Sequence, residues 1–112
     1  YGSAMNFIGY NYYEMGNYPK AMEYYQRALQ TLDTVAYKGY YKADTHGNIG
    51  YLQRELKNYD RAISEFKKAM KVYEATDDNL YQATTLIDIG SVYQLKNEYD
   101  EAGPSIVHRK CT

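Results

Sequence analysis

The feature that most constrains this chain is a repeat of about 40 residues. The dipeptide Ile-Gly recurs at 8–9, 49–50 and 89–90, so successive glycines lie 41 and 40 residues apart. In the first two units a small residue follows the glycine at +12, an aromatic residue at +16 and a second small residue at +19. These residues are Ala21, Tyr25 and Ala28 after Gly9, Ala62, Phe66 and Ala69 after Gly50, and Ala102 at +12 after Gly90. A period of this length indicates a solenoid of stacked supersecondary units.

Helix packing gives this spacing a physical explanation. Small residues let two antiparallel helices approach closely, and an aromatic ring fills the space between neighbouring hairpins. One hairpin cannot bury its apolar face alone, so the units must stack. The sequence therefore predicts helices over about 3–15, 19–34, 42–56, 60–75 and 80–96. These form units 3–36, 42–76 and 80–102 of a repeat domain that covers residues 1–102, followed by a tail at 103–112.

The small–large–small spacing resembles the tetratricopeptide repeat over about residues 3–102. The period exceeds the family's typical length of about 34 residues and resembles the longer repeats of cell-polarity adaptors, kinesin light chains and bacterial peptide-sensing regulators. The resemblance implies an all-α, right-handed superhelical solenoid of antiparallel helix hairpins, with about two and a half repeats. The chain departs from the family pattern four residues before each glycine, at Met5, His46 and Leu86, and at Gln53 three residues after Gly50.

The third unit departs from the pattern after Ala102. Its second helix is expected to follow a turn near Asn97, but Arg109 stands at +19, where close packing requires a small residue. Pro104 inside a helix costs about 3 kcal/mol or more. We therefore expect this second helix to be broken or kinked near Gly103 and Pro104, which leaves apolar surface uncovered and favours self-association.

The tail carries a second resemblance. The stretch EYDEAGPSIVHRKC at 98–111 resembles the extreme C-terminus of actin, which continues with Phe where this chain has Thr112. Its first five letters also satisfy the repeat pattern, whereas the following nine match only actin. The resemblance implies a fusion, an engineered join or a mimic that actin-related partners recognise, with a surface-accessible, reactive Cys111.

Composition excludes several functional classes. The net charge is −1, so no overall field directs the chain to nucleic acid or to a membrane surface. No apolar run has transmembrane length. Cys111 is the only cysteine, which excludes an internal disulfide framework and is typical of a reducing compartment, so we expect a cytoplasmic protein.

No constellation of catalytic residues is present, and neither a metal nor a cofactor is expected. His46 and His108 lie far apart without metal-ligand spacing. Because His46 takes a large-residue position of the repeat, a packed structural histidine is favoured over a ligand. The lysine-rich run at 67–71 is typical of a solvated helix face rather than of a nucleic-acid surface. Residues 77–79 lack the Gly and Glu of a calcium loop and suit helix capping.

The family resemblance also implies a concave groove lined by the first helix of each unit. The lining positions lie six and three residues before the glycine, and one, four and five residues after it. The clamp that binds acidic chaperone C-termini in this family is missing, because uncharged residues stand at its positions, namely Asn6, Tyr10, Tyr51 and Ile87. Arg54 is the only cation of the set, so a mixed or basic peptide suits the groove better than an acidic one. The full set is Ser3, Asn6, Tyr10, Tyr13 and Glu14; Asp44, Gly47, Tyr51, Arg54 and Glu55; and Thr84, Ile87, Ser91, Gln94 and Leu95.

Sixteen tyrosines against two phenylalanines and no tryptophan leave two interpretations open. Tyrosine either is the large core residue at helix interfaces, or it lines a recognition groove, with Tyr10 and Tyr51 at equivalent positions. The sequence favours a non-catalytic protein–protein interaction module that binds a peptide or protein in this groove. Two alternatives remain: a structural, self-associating scaffold with an empty groove, and recognition of the actin-like tail.

Overall fold

The computed structural model describes residues 2–32 and 40–102, which form helices joined by short turns. The helices are α1 (Gly2–Glu14), α2 (Tyr18–Leu32), α3 (Tyr40–Glu55), α4 (Tyr59–Ala75) and α5 (Asn79–Ala102). Within these ranges there is no strand. The all-α solenoid expected from the repeat period is confirmed.

The helices pack in chain order, as stacked hairpins must. Each helix contacts the next one along the chain, and α1 also touches α3. The radius of gyration is 15.9 Å and the extents are 55 × 32 × 17 Å. A compact domain of this length would have a radius of gyration of about 13 Å. The molecule is therefore an elongated slab, two helices thick, in which the odd-numbered helices are neighbours.

Three turns share one construction. Gly16, Lys57 and Asp77 each follow a helix with a positive φ, at 82°, 65° and 60°. In each turn the next residue's N–H donates to a carbonyl five residues back, the pairing of a Schellman motif. Two of the following helices are capped by side chains: Asn17 Oδ1 accepts from the N–H of Lys20 at 3.3 Å, and Asp78 Oδ1 accepts from Tyr81 at 3.1 Å. Capping is thus what residues 77–79 provide, as their sequence indicates.

The core lies where consecutive helices meet. Ala21, Tyr25, Ile49 and Leu52 form one buried cluster between α2 and α3. A second cluster joins α4 to α5 through Ala62, Ile63, Phe66 and Val92, and Tyr51 of α3 packs against it. A third cluster holds Ala43, Ala69 and Tyr73. Ala28 is also fully buried. The small residues of the repeat therefore stand at helix–helix contacts.

Two of the repeat glycines are covered by an aromatic ring. A Cβ at Gly9 would lie 2.7 Å from Cδ1 of Tyr25, and a Cβ at Gly50 would lie 2.7 Å from Cε1 of Phe66. No side chain fits at such distances unless the ring moves. In the first two hairpins, the aromatic ring of the second helix thus packs directly on the glycine backbone of the first helix.

The third unit differs from its sequence-based prediction. The helix expected to end near Lys96 continues without a turn to Ala102. Ala102 and Gly90 therefore lie on one helix, about 18 Å apart along its axis. The expected packing of Ala102 on Gly90 across a hairpin was wrong.

The straight helix has a local cause. The turn residue Asn58 stands eight positions after Gly50, whereas Glu98 stands at the same place after Gly90, and Glu favours a helix. In addition, Lys96 Nζ lies 2.8 Å from Asp60 Oδ1, which ties this part of α5 to the start of α4. The predicted break at Gly103 and Pro104 and the actin-like residues 103–112 lie outside the described residues.

Candidate functional site

A cleft of about 320 Å³ opens where α1, α3 and α5 face one another. We call it the central cleft. Its floor is formed by α4 and its walls by the odd-numbered helices. The lining residues are Asn6, Asp44, Gly47, Asn48, Tyr51, Phe66, Ala69, Tyr73, Tyr81, Thr84, Thr85 and Asp88.

Tyr51 joins α3 to α5 at one wall of the central cleft. Its hydroxyl donates to Asp88 Oδ2 at 2.5 Å. Burial, and then the hydrogen bond to Asp88, raise the pKa of Tyr51, so the hydroxyl stays protonated and acts as a donor. Arg54 lies over the Tyr51 ring, 5.1 Å from its centroid, and donates to Ser91 Oγ at 3.3 Å. This wall is therefore fixed by cross-helix contacts.

Tyr73 fixes the second carboxylate of the central cleft. Its hydroxyl donates to Asp44 Oδ1 at 2.7 Å, and its ring stacks on Tyr81 at 5.0 Å. Burial raises the pKa of Asp44, and the hydrogen bond from Tyr73 only partly offsets this effect. Within the described residues, one oxygen of Asp44 and one of Asp88 accept no hydrogen bond. Each carboxylate can therefore take a further donor.

The α1 side of the groove carries amides and tyrosines. Asn48 Nδ2 donates to Asn6 Oδ1 at 2.9 Å. Further along, the hydroxyl of Tyr13 lies 3.5 Å from Glu55 Oε1, and burial followed by the Glu55 charge raises the pKa of Tyr13. Tyr10 packs beside Tyr13 at 6.0 Å between ring centroids. The groove thus extends from the central cleft along α1 and α3.

The residues predicted for the groove fall into two groups. Asn6, Asp44, Gly47, Tyr51 and Thr84 line the central cleft. Several others extend the same side of the helices, either in cross-helix contacts or exposed to solvent: Tyr10, Tyr13, Glu14, Arg54, Glu55, Ile87, Ser91, Gln94 and Leu95. The side chain of Ser3 lies outside the described part of the chain.

Sequence reasoning missed several lining residues. Asn48 and Asp88 occupy the same repeat position, two residues before the glycine. A polar residue at this position in both units could have indicated that the position lines the groove. Tyr73 comes from a second helix of a hairpin, which the family's groove positions do not include. Tyr81 and Thr85 reach the central cleft from the first two turns of α5, outside the positions that the family's groove pattern includes.

The lining of the central cleft is negatively charged. Among the described residues that line it are Asp44 and Asp88 and no cationic side chain. Arg54 lies beyond the lining and is held by Tyr51 and Ser91. Among the described residues no group of His, Cys, Asp or Glu is arranged to hold a metal ion. The arrangement suits a positively charged side chain that supplies its own donors.

His46 lies on the far side of α3, away from the central cleft. Its Nδ1 is 2.6 Å from Glu65 Oε1, and both side chains are largely buried. Burial alone would raise the pKa of Glu65, but the hydrogen bond and charge of His46, with Lys68, outweigh it and lower the pKa. The interpretation of His46 as a packed structural residue fits this contact, and Glu65 is the partner that the sequence did not indicate.

The outer face of α4 carries the lysine run. Lys67, Lys68 and Lys71 are exposed, and Lys68 Nζ lies 3.4 Å from Glu65 Oε2. This agrees with a solvated helix face. Over the described ranges, no helix combines the length and apolar character needed to cross a bilayer.

Comparison with known proteins gives matches over both halves of the chain. A family model described as tetratricopeptide repeat matches residues 41–102, more than half of the chain. A second model of the same description matches residues 2–33. A search of curated proteins found no match.

Proposed function

The chain belongs to the tetratricopeptide repeat family, whose repeats are generally protein–protein interaction modules, and we propose that it binds a partner's extended segment, without catalysis, in the groove of α1, α3 and α5. The segment places a lysine or arginine in the central cleft. The observation that carries this proposal is the pair of carboxylates, Asp44 and Asp88, in a lining whose described residues include no cation.

The size of the central cleft suits one side chain. Ligand pockets for small molecules range from about 300 to 1,000 Å³, and this cleft, at about 320 Å³, lies at the lower end. An ammonium or guanidinium group in the central cleft would donate to the second oxygen of Asp44 or of Asp88, and such charge-assisted hydrogen bonds are stronger than neutral ones. The rings of Tyr51 and Tyr81 provide walls for its aliphatic stem.

The amide pair supplies contacts for a peptide backbone. Asn6 and Asn48 share one hydrogen bond, so each amide keeps hydrogen-bonding capacity. An extended peptide has an N–H and a C=O at every residue to pair with such groups. Amides bind backbone independently of sequence, whereas the carboxylates select for charge.

The groove is largely preorganised. Contacts from Tyr51 to Asp88, Tyr73 to Asp44 and Asn48 to Asn6 fix its polar side chains across three helices. Side chains already held by neighbours lose little entropy when a ligand binds, so more of the contact energy appears as affinity.

A positional peptide array tests the proposal. The folded chain is applied to nonapeptides that vary at every position, and the best peptide is titrated by calorimetry beside its Lys→Gln or Arg→Gln version. We expect at least tenfold weaker binding without the cation, and a similar loss in Asp44→Asn or Asp88→Asn. Glu23→Gln is the matched control, because Glu23 is an exposed acid on α2 that pairs with Arg27 at 2.9 Å. Selected peptides without a basic preference, or no selected peptide at all, would overturn the proposal.

The raised pKa of Asp44 adds a pH test. In the free protein burial favours the protonated carboxyl, whereas a bound cation favours the carboxylate. Affinity for the basic peptide should therefore fall as the pH decreases through the pKa of Asp44, which lies above 3.8. Asp44→Asn should reduce this dependence, and an unchanged profile in that variant would assign the titration to another group.

A further inference from the structure

The outer side of α4 carries a row of exposed cations. We call it the basic stripe; it consists of Arg61, Lys67, Lys68 and Lys71, which fall within about a third of the helix circumference. Lys68 Nζ lies 3.4 Å from Glu65 Oε2. Over the part of the chain that the structure describes, the other three cations make no ion pair.

The equivalent helix of the first hairpin provides an internal comparison. Counted from the repeat glycines, α2 and α4 both expose the residues at +11, +14, +17, +18 and +21. In α2 these positions hold two cations and one acid, and Glu23 lies 2.9 Å from Arg27 and 3.8 Å from Lys20. In α4 they hold four cations and no acid, since Ser64 stands in place of the glutamate. The charge on α2 is thus largely neutralised within its helix, whereas the charge on α4 is available to a partner.

The carboxylates around the basic stripe are engaged elsewhere or stand at its ends. Asp60 Oδ1 lies 2.8 Å from Lys96 Nζ, and Glu65 Oε1 lies 2.6 Å from His46 Nδ1. Glu74 follows about one turn beyond the last lysine. The stripe is therefore bounded by Asp60 and Glu74, and its length from residue 61 to residue 71 is about 15 Å.

The basic stripe also borders a shallow cavity of about 500 Å³. The aliphatic stems of the lysines line this cavity, while their ammonium groups can stay in water at its rim. A bound segment can therefore lie between the ammonium groups. The lining residues are Asp60, Ile63, Ser64, Lys67, Lys68 and Lys71.

We propose that the basic stripe binds an acidic segment of a partner protein. Three or four Asp or Glu residues of that segment pair with the four cations, and complementary charge of this kind directs encounter and sets register. The floor of the central cleft is formed by Phe66, Ala69 and Tyr73, on the opposite side of α4. The acidic segment and the proposed groove ligand therefore occupy different sides of the molecule, and this inference is independent of the groove.

A short acidic segment fits the basic stripe better than a nucleic acid or an anionic membrane does. Double-stranded DNA carries one negative charge per about 1.7 Å of helix axis. A polyanion longer than the stripe would lie against Asp60 and Glu74 at its ends. The net charge of the chain is −1, so no overall positive field attracts a large polyanion. A protein segment can instead place carboxylates at the cations and neutral groups beyond them.

Fluorescence anisotropy with the full chain tests the proposal. The probe is a fluorescein-labelled peptide, Gly-Glu-Glu-Leu-Asp-Glu-Gly, and its reference is the same peptide with Gln and Asn in place of the acids. At low ionic strength we expect saturable binding of the acidic peptide, about fivefold tighter than that of the neutral one. Added salt should weaken it, because the pairs are exposed to solvent. Equal binding of the two peptides would refute the proposal.

Matched double variants then assign the surface. Lys67→Gln with Lys71→Gln removes two cations from the basic stripe and should weaken binding of the acidic peptide about fivefold. Lys20→Gln with Arg27→Gln removes the same charge from the equivalent side of α2 and should change binding by less than about twofold. Equal losses in the two double variants would show that only the net charge matters, and the proposed surface would then be wrong.

Two further probes decide the class of partner. Oligothymidylate and phosphatidylserine vesicles are titrated against the wild-type chain and against Lys67→Gln with Lys71→Gln. We expect both to bind more weakly than the acidic peptide. Tighter binding of either one that is lost in this double variant would overturn the proposal, because the stripe would then be a site for a nucleic acid or a membrane.

Discussion

The α3–α4 hairpin and the α5 helix begin from the same signature and reach different structures. Both carry Ile-Gly at the same repeat position, Ile49-Gly50 and Ile89-Gly90. Gly50 lies under the Phe66 ring, whereas Gly90 is open to solvent. The comparison shows that this repeat motif encodes one side of a helix–helix contact, and that the contact exists only where a second helix returns to meet it.

Phe66 also connects the hairpin contact to the groove. Its ring covers Gly50 and packs edge-on against Tyr51, with 5.1 Å between the ring centroids. Tyr51 in turn donates to Asp88 on α5. In the closed unit, packing of the hairpin thus positions a groove residue. Within the described ranges, α5 has no equivalent ring behind Ser91.

The largest effect is expected from removing the covering ring. Phe66 is 1% exposed, and Phe→Ala in a core costs about 3–5 kcal/mol. Leu86→Ala removes a large apolar side chain from the open unit, where surface substitutions usually change stability by less than about 0.5 kcal/mol. Chemical denaturation of both variants measures the difference, and similar losses in the two would show that α5 is covered in solution.

The glycines themselves should respond with opposite signs. Gly→Ala within a helix gains up to about 1 kcal/mol from propensity, and Gly90→Ala should show that gain because its Cβ meets nothing. In Gly50→Ala the Cβ lies 2.7 Å from a buried ring, and overpacking of about 1–3 kcal/mol should outweigh the gain. A net loss of about 1–2 kcal/mol is expected. Thermal unfolding of the pair checks the signs, and a stabilised Gly50→Ala would contradict the close contact.

The two covering rings allow a finer comparison. Tyr25 holds the position of Phe66, and among the described residues its buried hydroxyl has no hydrogen-bond partner. Burial also raises the pKa of Tyr25, as expected for a hydroxyl that cannot be ionised in place. Because an unsatisfied buried polar group costs about 1–3 kcal/mol, Tyr25→Phe should stabilise the chain by about 1 kcal/mol.

Tyr51→Phe is the control for this substitution. The Tyr51 hydroxyl donates to Asp88, so its removal should cost about 1 kcal/mol rather than stabilise. Denaturant midpoints of the two variants should move in opposite directions. A destabilised Tyr25→Phe would reveal that the hydroxyl has a partner.

The smallest effect concerns pH and is confined to the α3–α4 hairpin. The pKa of Glu65 is lowered in the folded state, where His46 and Lys68 outweigh burial, so the unfolded chain binds the proton more tightly. The contribution of Glu65 is therefore present above its ordinary pKa of 4.5 and is lost as the pH falls through the lowered value. Glu65→Gln should cost about 0.5 kcal/mol near pH 6. Its deficit relative to wild type should shrink toward pH 3, and a constant deficit would indicate that charge is not involved.

Much of the fold could be predicted from local information. The repeat period, the turns near Gly16 and Lys57 and the capping residues before α5 depend on neighbours within a few positions, so short-range patterns reveal them. The straight course of α5 was missed because the turn signature at Lys96 and Asn97 was overridden by helix-forming neighbours and by the contact of Lys96 with Asp60.

The sequence alone determined that this is a helical repeat, because small and large residues recur at a period of about 40, and its pattern resembles the tetratricopeptide repeat. The tertiary structure alone decided that no described residue covers Gly90 and that Asp44 and Asp88 share one cleft. Whether a surface is covered depends on a distant segment returning to it. Whether two carboxylates meet depends on how successive hairpins stack. Neither outcome can be read from the sequence neighbours of Gly90, Asp44 or Asp88.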